Sequence, residues 1–431
     1  MSTLAMPRRS PLLITMIIAA VALTAFGIFT QIWTDKLWFD AIDYPKVFST
    51  QLVAEVGLFA VAALVMAGLI GGNMWIAFRA RPPMQRSPES AMLERYRELL
   101  ESSFWMAAAI PAVGLGLLAG ASAAVETLPV LAWLNRVPFG TVDPTFGLDL
   151  SFYIFDYPVL QALASFLLTA LSFSLIAAAA VHFATGALIP GRARGSRMPA
   201  ATRVHLAVLI GLILLGYAGQ LVLDRYSFLV SQGTIFTGLH YTDDHARVGA
   251  RVVLAAISVI VAGLFFATAV LRRWLFPVVG VGLMVVSSLI LSLIYPAVVQ
   301  SFTVRPNEPD KEGPYIQQHV DATRAAFGVA DTAIQEYAAV TQVRPGQLKQ
   351  DAEALPGIRL MDPAVVSPTF DQLQQVRGYY AFPDILDVDR YTIEGKETDV
   401  VVAARELDLA GLPDQQWNNV HTVYTLSLIH I

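Results

Sequence analysis

The sequence contains no cysteine and little charge: of its 431 residues, only 15% are Asp, Glu, Lys or Arg. The first absence excludes disulfides and thiolate metal sites. Soluble domains carry charge on roughly 25% of their residues, so much of this chain is not built to face water. The deficit is local. Long apolar runs recur from Leu12 to Val298, and from Gln300 onward the composition is ordinary. Catalytic signatures are missing too: there is no G-x-S-x-G elbow, no H-E-x-x-H, no phosphate-binding G-x-x-x-x-G-K-[ST] and no dinucleotide fingerprint. These absences lean the reading away from an enzyme, without removing that alternative, and lead us to expect no cofactor.

What is present is apolar length. A helix needs about 20 apolar residues to cross the hydrocarbon of a bilayer. Seven runs qualify: 12–33, 51–74, 104–125, 158–183, 204–223, 252–271 and 275–298. The first follows Arg8 and Arg9 but is longer than a signal-peptide core and lacks a small-x-small cleavage site, so it counts as a span. The expected fold class is mixed. An all-α polytopic membrane bundle of seven transmembrane helices fills residues 1–298, and a partial α+β extracellular domain follows at 299–431.

Charge sets the expected orientation. Thirteen Arg and Lys lie before span one and in the loops 2–3, 4–5 and 6–7, against six in the alternate loops. The positive-inside rule then predicts a multi-pass protein with a cytoplasmic N-terminus and an external tail. From Val299 that tail holds ten basic and nineteen acidic residues, whereas the whole chain has a net charge of −5. An acidic exterior argues against nucleic acid as a partner and leaves the bilayer itself, with an envelope protein, lipid or glycan.

Ionisable groups within the spans are few. Glu55 lies one turn inside the outer end of span two, His182 and His205 near inner ends, and Asn73 and Gln220 are also terminal. Each is expected to be an interfacial or snorkelling polar group. Gly68 and Gly72, and Gly116 and Gly120, have the four-residue spacing that lets helices approach closely. Residues 87–105, with Met92, Tyr96, Leu99 and Leu100 on one face, read as an interfacial helix leading into span three.

Before span six the chain reads "GLHYTDDHARVGAR" (238–251). His240, Asp243, Asp244 and His245 are the right residue types for zinc, yet their spacing matches no closed site, and Asp244 and His245, as neighbours, point to different faces. The expectation is no metal: Asp243 or Asp244 caps or charges the helix start and Asp243 pairs with Arg247 four residues on. A possible outer-face polar site gathers Glu55, Asp143, Asp149, Asp156 and Arg247. In the tail, 312–328 is predicted to be a helix begun by Pro314 and stopped by Gly328, and 398–406 a strand, in a hairpin turning near Glu394, Gly395 and Lys396. Asp384, Asp387 and Asp389 alternate without the calcium-loop pattern and read as a solvated acidic edge.

Several segments together resemble one family. They are "LWFDAIDYPKVFST" (37–50), "GGNMWIAFRARP" (71–82), "DPTFGLDLSFYIFDYP" (143–158), "LDRYSFLVSQGTIFTGLHYTDDHARVGA" (223–250), "VRPNEPDKEGPYIQQHVDATRAAFG" (304–328), "RGYYAFPDILDVDRYTIEGKETDVVVAAREL" (377–407) and "WNNVHTVYT" (417–425). The chain is thereby similar to uncharacterised protein family 0182, bacterial and mainly actinobacterial integral membrane proteins. The resemblance implies seven membrane helices, a large external domain and plasma-membrane residence, and it implies no activity. It also implies that the chain continues after Thr425 as His-Gly-Tyr-Gly, so the ending "LSLIHI" (426–431) is expected to be foreign and the external domain incomplete.

Three functional classes follow. The first is a membrane-anchored external domain for binding or assembly at the cell envelope. The second is a transporter or channel component, which needs a polar route through the spans. The third is an enzyme acting on a lipid-linked or envelope substrate at the outer face, using carboxylates such as Asp143, Asp149, Asp156 or Asp243. The acidic exterior and the missing catalytic motifs favour the first.

Overall fold

The computed structural model describes residues 11–82, 91–188, 198–233, 236–271, 273–334, 336, 342, 345–350, 361–374 and 378–423. Arg8, Arg9, Arg86, Arg192, Arg194, Arg197 and Arg272, positions 87–90 of the interfacial segment and the ending after Thr425 lie outside the described residues, as do the side chains of Met92, Tyr96, Leu99 and Leu100.

Each apolar run forms a helix, and seven helices are long and apolar enough to cross a membrane, as in a multi-pass membrane protein. They are α1 (Pro11–Ala41), α2 (Pro45–Arg79), α3 (Ala91–Ala124), α5 (Tyr157–Ala184), α6 (Ala200–Ser227), α7 (Gly249–Leu271) and α8 (Leu275–Leu289) with its continuation. A short helix α4 (Thr127–Leu134) follows α3. The interfacial segment is helical from Ala91 and joins the third span through a kink at Ser103 (φ −138°, ψ 30°). Beyond α8 the helix runs on through a π turn (Ile290–Ile294), α9 (Tyr295–Val298), a second π turn (Val299–Val304) and a 3-10 turn (Arg305–Asn307), then kinks at Asn307 (φ −143°, ψ 46°) before α10 (Glu308–Ala326). That run of 52 residues is at most about 78 Å long at 1.5 Å per residue. The hydrocarbon core is only about 30 Å thick, so α10 projects past any bilayer that α8 crosses.

The helices pack as a chain of neighbours: α3 on α2, α2 on α5, α5 on α6, α6 on α7 and α7 on α8. Gly116 and Gly120 are needed there, because a Cβ on either would come within 2.8 Å of the Ala63 or Phe59 carbonyl oxygen. Gly68 and Gly72 face open space, so only one of the two expected glycine pairs marks a close helix crossing. Helix α1 leaves Leu23, Phe26, Phe29 and Trp33 exposed, an apolar surface suited to lipid and not to water.

The chain divides into two compact units, Met1–Thr332 and Ala333–Ile431. The first includes α10, because the helix leaving the last span does not break at Val298. Pro314, expected at a helix start, lies inside α10; the chain arrives already helical, and Pro306 and Pro309 occupy the early positions that tolerate a missing N–H. Gly328 ends the helix at φ +66°.

In the second unit, described by itself, α11 (Gln347–Gln350) and α12 (Pro363–Gln374) precede two small antiparallel sheets. One pairs β1 (Tyr380–Ala381) with β4 (Glu406–Leu407) and the other β2 (Asp387–Ile393) with β3 (Lys396–Val402). Glu394 and Gly395, at φ 52° and 78°, make the two-residue turn expected there. The strand expected over 398–406 ends at Val402. Asp384, Asp387 and Asp389 are exposed, and Arg390 pairs with the opposite Asp399 at 3.1 Å.

Candidate functional site

The loops joining the spans fall at two ends, one rich in arginine and the other in aspartate. At the aspartate-rich end the loop before α5 is organised around carboxylates. Asp143, 4% exposed, accepts the backbone N–H groups of Thr145, Phe146 and Leu148 at 2.9, 2.6 and 3.0 Å and the Tyr153 hydroxyl at 2.8 Å. Asp149 accepts the N–H groups of Phe139, Gly140 and Ser151 at 3.0, 2.8 and 2.8 Å. The Ser151 hydroxyl and amide, followed by the Phe139 amide, lower its pKa to about 2. Asp156 receives Trp133 Nε1 at 3.0 Å and pairs with Arg136 at 3.4 Å. Phe146, Phe152 and Tyr153 pack around the ring of Tyr226, whose face also meets the Arg225 guanidinium. A π turn (Phe152–Asp156) links this loop to α5.

The stretch 238–251 forms the adjoining wall. Its helix begins with a π turn, Asp243–Val248. Asp243 is buried, reaches back to the His240 N–H at 3.2 Å and holds Arg247 at 2.7 Å, the pairing expected from their spacing. Thr242, also buried, donates to the Gln300 side chain. From α10, Glu312 comes in beneath: it is 2% exposed, accepts the Tyr241 N–H and lies 3.4 Å from His240 Nδ1. Gly233 packs so closely on His240 that a Cβ there would overlap the imidazole.

Asp244 and His245 do not point apart. The Tyr315 hydroxyl donates to Asp244 at 2.8 Å and lies 3.4 Å from His245 Nδ1, with 3.7 Å between that nitrogen and the Asp244 carboxylate. A π turn holds more residues per revolution than an α turn, so successive side chains diverge less. The Tyr241 ring stacks on His245 at 4.0 Å, with the Lys311 ammonium on Tyr241 at 5.1 Å. Together these groups border a cavity of about 460 Å³, lined by Pro144, Thr145, Tyr241, Asp244, His245, Asp310, Lys311, Pro314, Tyr315 and Gln318. Its volume lies in the range of small-molecule sites.

Among the described residues, no three His, Asp or Glu side chains are grouped to hold a metal. His240 and Asp243 lie in the buried layer, and Asp244 and His245 on the rim. The expected outer-face set is likewise divided: Asp143 and Asp149 anchor one loop, Asp156 holds α4 to α5, Arg247 holds Asp243, and Glu55, exposed on α2, does not line the cavity. Sequence reading missed the α10 contribution of Asp310, Lys311, Glu312, Tyr315 and Gln318. The only signal available was an acid-rich amphipathic helix, and nothing in the sequence pairs it with a loop some seventy residues earlier.

At the arginine-rich end, a second polar group replaces the expected interfacial side chains. His182 is fully buried, its Nδ1 3.3 Å from the Thr202 hydroxyl and its Nε2 3.2 Å from His205 Nδ1. His205 Nε2 lies 3.0 Å from Asn73 Oδ1, and Asn73 Nδ2 donates to the Leu69 carbonyl at 2.7 Å. An amide oxygen only accepts, so His205 donates from Nε2; with both rings neutral, its Nδ1 then accepts from His182 Nε2 and His182 Nδ1 accepts from Thr202. Helices α2, α5 and α6 bring these residues together, and this is why the groups do not snorkel. At the other end of α6, Gln220 donates to Asp224 at 3.3 Å.

By length and composition, seven helices suit a multi-pass membrane protein, with an open polar cavity at one end and a closed polar chain at the other. The chain belongs to the family described as Uncharacterised protein family (UPF0182), whose profile matches residues 12–426. It is 44% identical over 422 residues to a UPF0182 protein of Streptomyces coelicolor, covering 96% of this chain and 42% of that protein. Similar relatives occur in Frankia casuarinae (42% over 426 residues, 97% of this chain and 42% of the relative) and Thermobifida fusca (42% over 430 residues, 98% and 42%). The chain thus spans about two-fifths of the length of these relatives. No solved structure matches it.

Proposed function

We propose that this is a multi-pass plasma-membrane protein with a cytoplasmic N-terminus, whose aspartate-rich end and following acidic domain face outward and bind a component of the cell envelope. The observation that carries the reading is the cavity above a buried polar layer: Asp143, Asp243, Thr242 and Glu312 are each at most 4% exposed beneath or beside it. Each is hydrogen-bonded or ion-paired, which offsets the cost of burial and fixes the wall of the cavity in place. The thirteen-to-six distribution of Arg and Lys supports the orientation. The enzyme reading has less support, because Asp143, Asp149, Asp156 and Asp243 already hold backbone amides or arginines. Transport has less support too: among the described residues the buried charged side chains are Asp143, Arg203, Asp243 and Glu312, none at mid-span.

The test is a photo-crosslinking residue at Gln318 or Thr145 of the full-length protein, in cells of an actinobacterial host. Adducts with an envelope glycan, lipid or protein are expected there and not from the same residue at Phe26 on α1. Equal yields of the same adducts from all three positions would contradict an outer binding site.

A further inference from the structure

We propose that the cavity between the 143–147 loop, the 241–245 turn and α10 takes a neutral polyhydroxylated ligand, the saccharide part of an envelope glycan or of a lipid-linked sugar. The proposal rests on the outer-face binding reading and gives its ligand a chemical class.

The lining narrows the choice. Asp244 and Asp310 only accept hydrogen bonds, and Lys311 only donates. Tyr315, Thr145 and Gln318 do both, and His245 Nδ1 is already turned to the Tyr241 carbonyl at 3.2 Å, which leaves Nε2 for a visitor. A phosphate would face two carboxylates across a small space. A simple amine would pair with Asp244 or Asp310 and leave Lys311, Thr145 and Gln318 without a bond to the ligand. An apolar molecule would strip water from all of these groups and return no hydrogen bond. Adjacent sugar hydroxyls match the set, since each donates to a carboxylate while accepting from an ammonium or amide.

The groups are also held ready. The Tyr315 hydroxyl is fixed on Asp244 at 2.8 Å. Tyr241 is fixed by its N–H on buried Glu312 and by its stacking on His245. Pro144 and Pro314 stiffen two of the walls. Tyr241, Asp244 and Tyr315 therefore have little side-chain freedom left to lose on binding, which lowers the cost of the contacts they make. Because α10 continues from the last membrane helix, the cavity lies within reach of sugars carried on lipid as well as free ones.

The experiment is ligand-observed saturation-transfer NMR with the full-length protein in phospholipid nanodiscs. The probes are glucose, mannose, arabinose and N-acetylglucosamine, the disaccharides maltose and trehalose, and N-acetylglucosamine linked to a short polyprenyl diphosphate. Inorganic phosphate, followed by 31P line width, and ethanolamine are the charged controls. At least one sugar is expected to receive saturation, with its signal reduced tenfold or more in Asp244→Asn/Lys311→Met while the thermal midpoint is kept. Response from the prenyl-linked sugar alone assigns the lipid-borne source, and response from soluble sugars the free one. No response from any sugar, or an undiminished response in the variant, overturns the proposal. Binding of phosphate or ethanolamine alone also overturns it, while leaving outer-face binding standing. If the variant does not fold, Gln318→Leu, on an exposed position, is expected to lower the sugar response at least threefold, and an unchanged response overturns the proposal.

Discussion

The two ends of the bundle solve the same problem, polar groups among apolar helices, in opposite ways. At the arginine-rich end, Thr202, His182, His205 and Asn73 close on one another, each ring nitrogen meeting one partner, and the bonds run in one direction. At the aspartate-rich end, the buried carboxylates are spent on backbone amides and arginines, while a second layer of Asp244, His245, Tyr315 and Lys311 remains open to a cavity. A closed network contributes rigidity and offers nothing to a ligand. An open layer supported by a closed one has the form of a binding site.

Breaking the support of the open end should have the largest effect. Asp143→Ala leaves three backbone N–H groups and the Tyr153 hydroxyl without their acceptor, and a loss of about 3 kcal/mol is expected. Thermal unfolding in nanodiscs measures it, and a change within error would show that the loop does not depend on this carboxylate. Next comes the closed chain. His182→Leu strands the Thr202 hydroxyl and His205 Nδ1, at a cost of about 1–3 kcal/mol. Pairing it with His205→Leu should cost less than the sum of the two single changes, and strict additivity would mean that the rings are not coupled.

A smaller effect is confined to acid. The Asp149 carboxyl titrates near 2 in the folded protein against 3.8 as its ordinary value. Its contribution to stability is therefore fully present above pH 3.8 and is lost as the pH falls toward 2. The stability gap between the natural protein and Asp149→Asn should follow that course, and a gap constant from pH 5 to pH 2 would contradict it. The smallest effect belongs to the open layer. Asp244, whose side chain is 39% exposed, should tolerate Asp244→Asn within about 0.5 kcal/mol, the usual range for surface changes. A large destabilisation there would make it part of the support.

Much of the fold was readable in the sequence because membrane helices are long and apolar, and hydrocarbon thickness sets their length. Every apolar run falls on a helix, but α3 already begins at Ala91, well before residue 104, and the seventh helix continues past Val298 toward α10. The hairpin turn near Glu394, Gly395 and Lys396 was readable because a glycine there separates two strand-forming runs, and Glu394 and Gly395 take the positive φ angles of a tight turn. The polar sites were much less so. His182 and His205 are 23 residues apart, Tyr241 and Glu312 71 apart, and no local pattern reports on such pairs. The position of α10 was obscured by Pro314, read as a helix start although the chain was already helical before it. Asp244 and His245 were read as diverging because the π turn that brings them onto one side has no signature in side-chain spacing.

Topology is the most direct test, because binding of an envelope component at the cavity requires the aspartate-rich end to face outward. Residues 1–431 contain no cysteine, so single cysteines introduced into this chain report their own position to a membrane-impermeant maleimide. Gln318→Cys, at the cavity, should label in intact cells, whereas Gln85→Cys, in the arginine-rich loop after α2, should label only after permeabilisation. The reverse pattern would place the cavity in the cytoplasm and contradict the account.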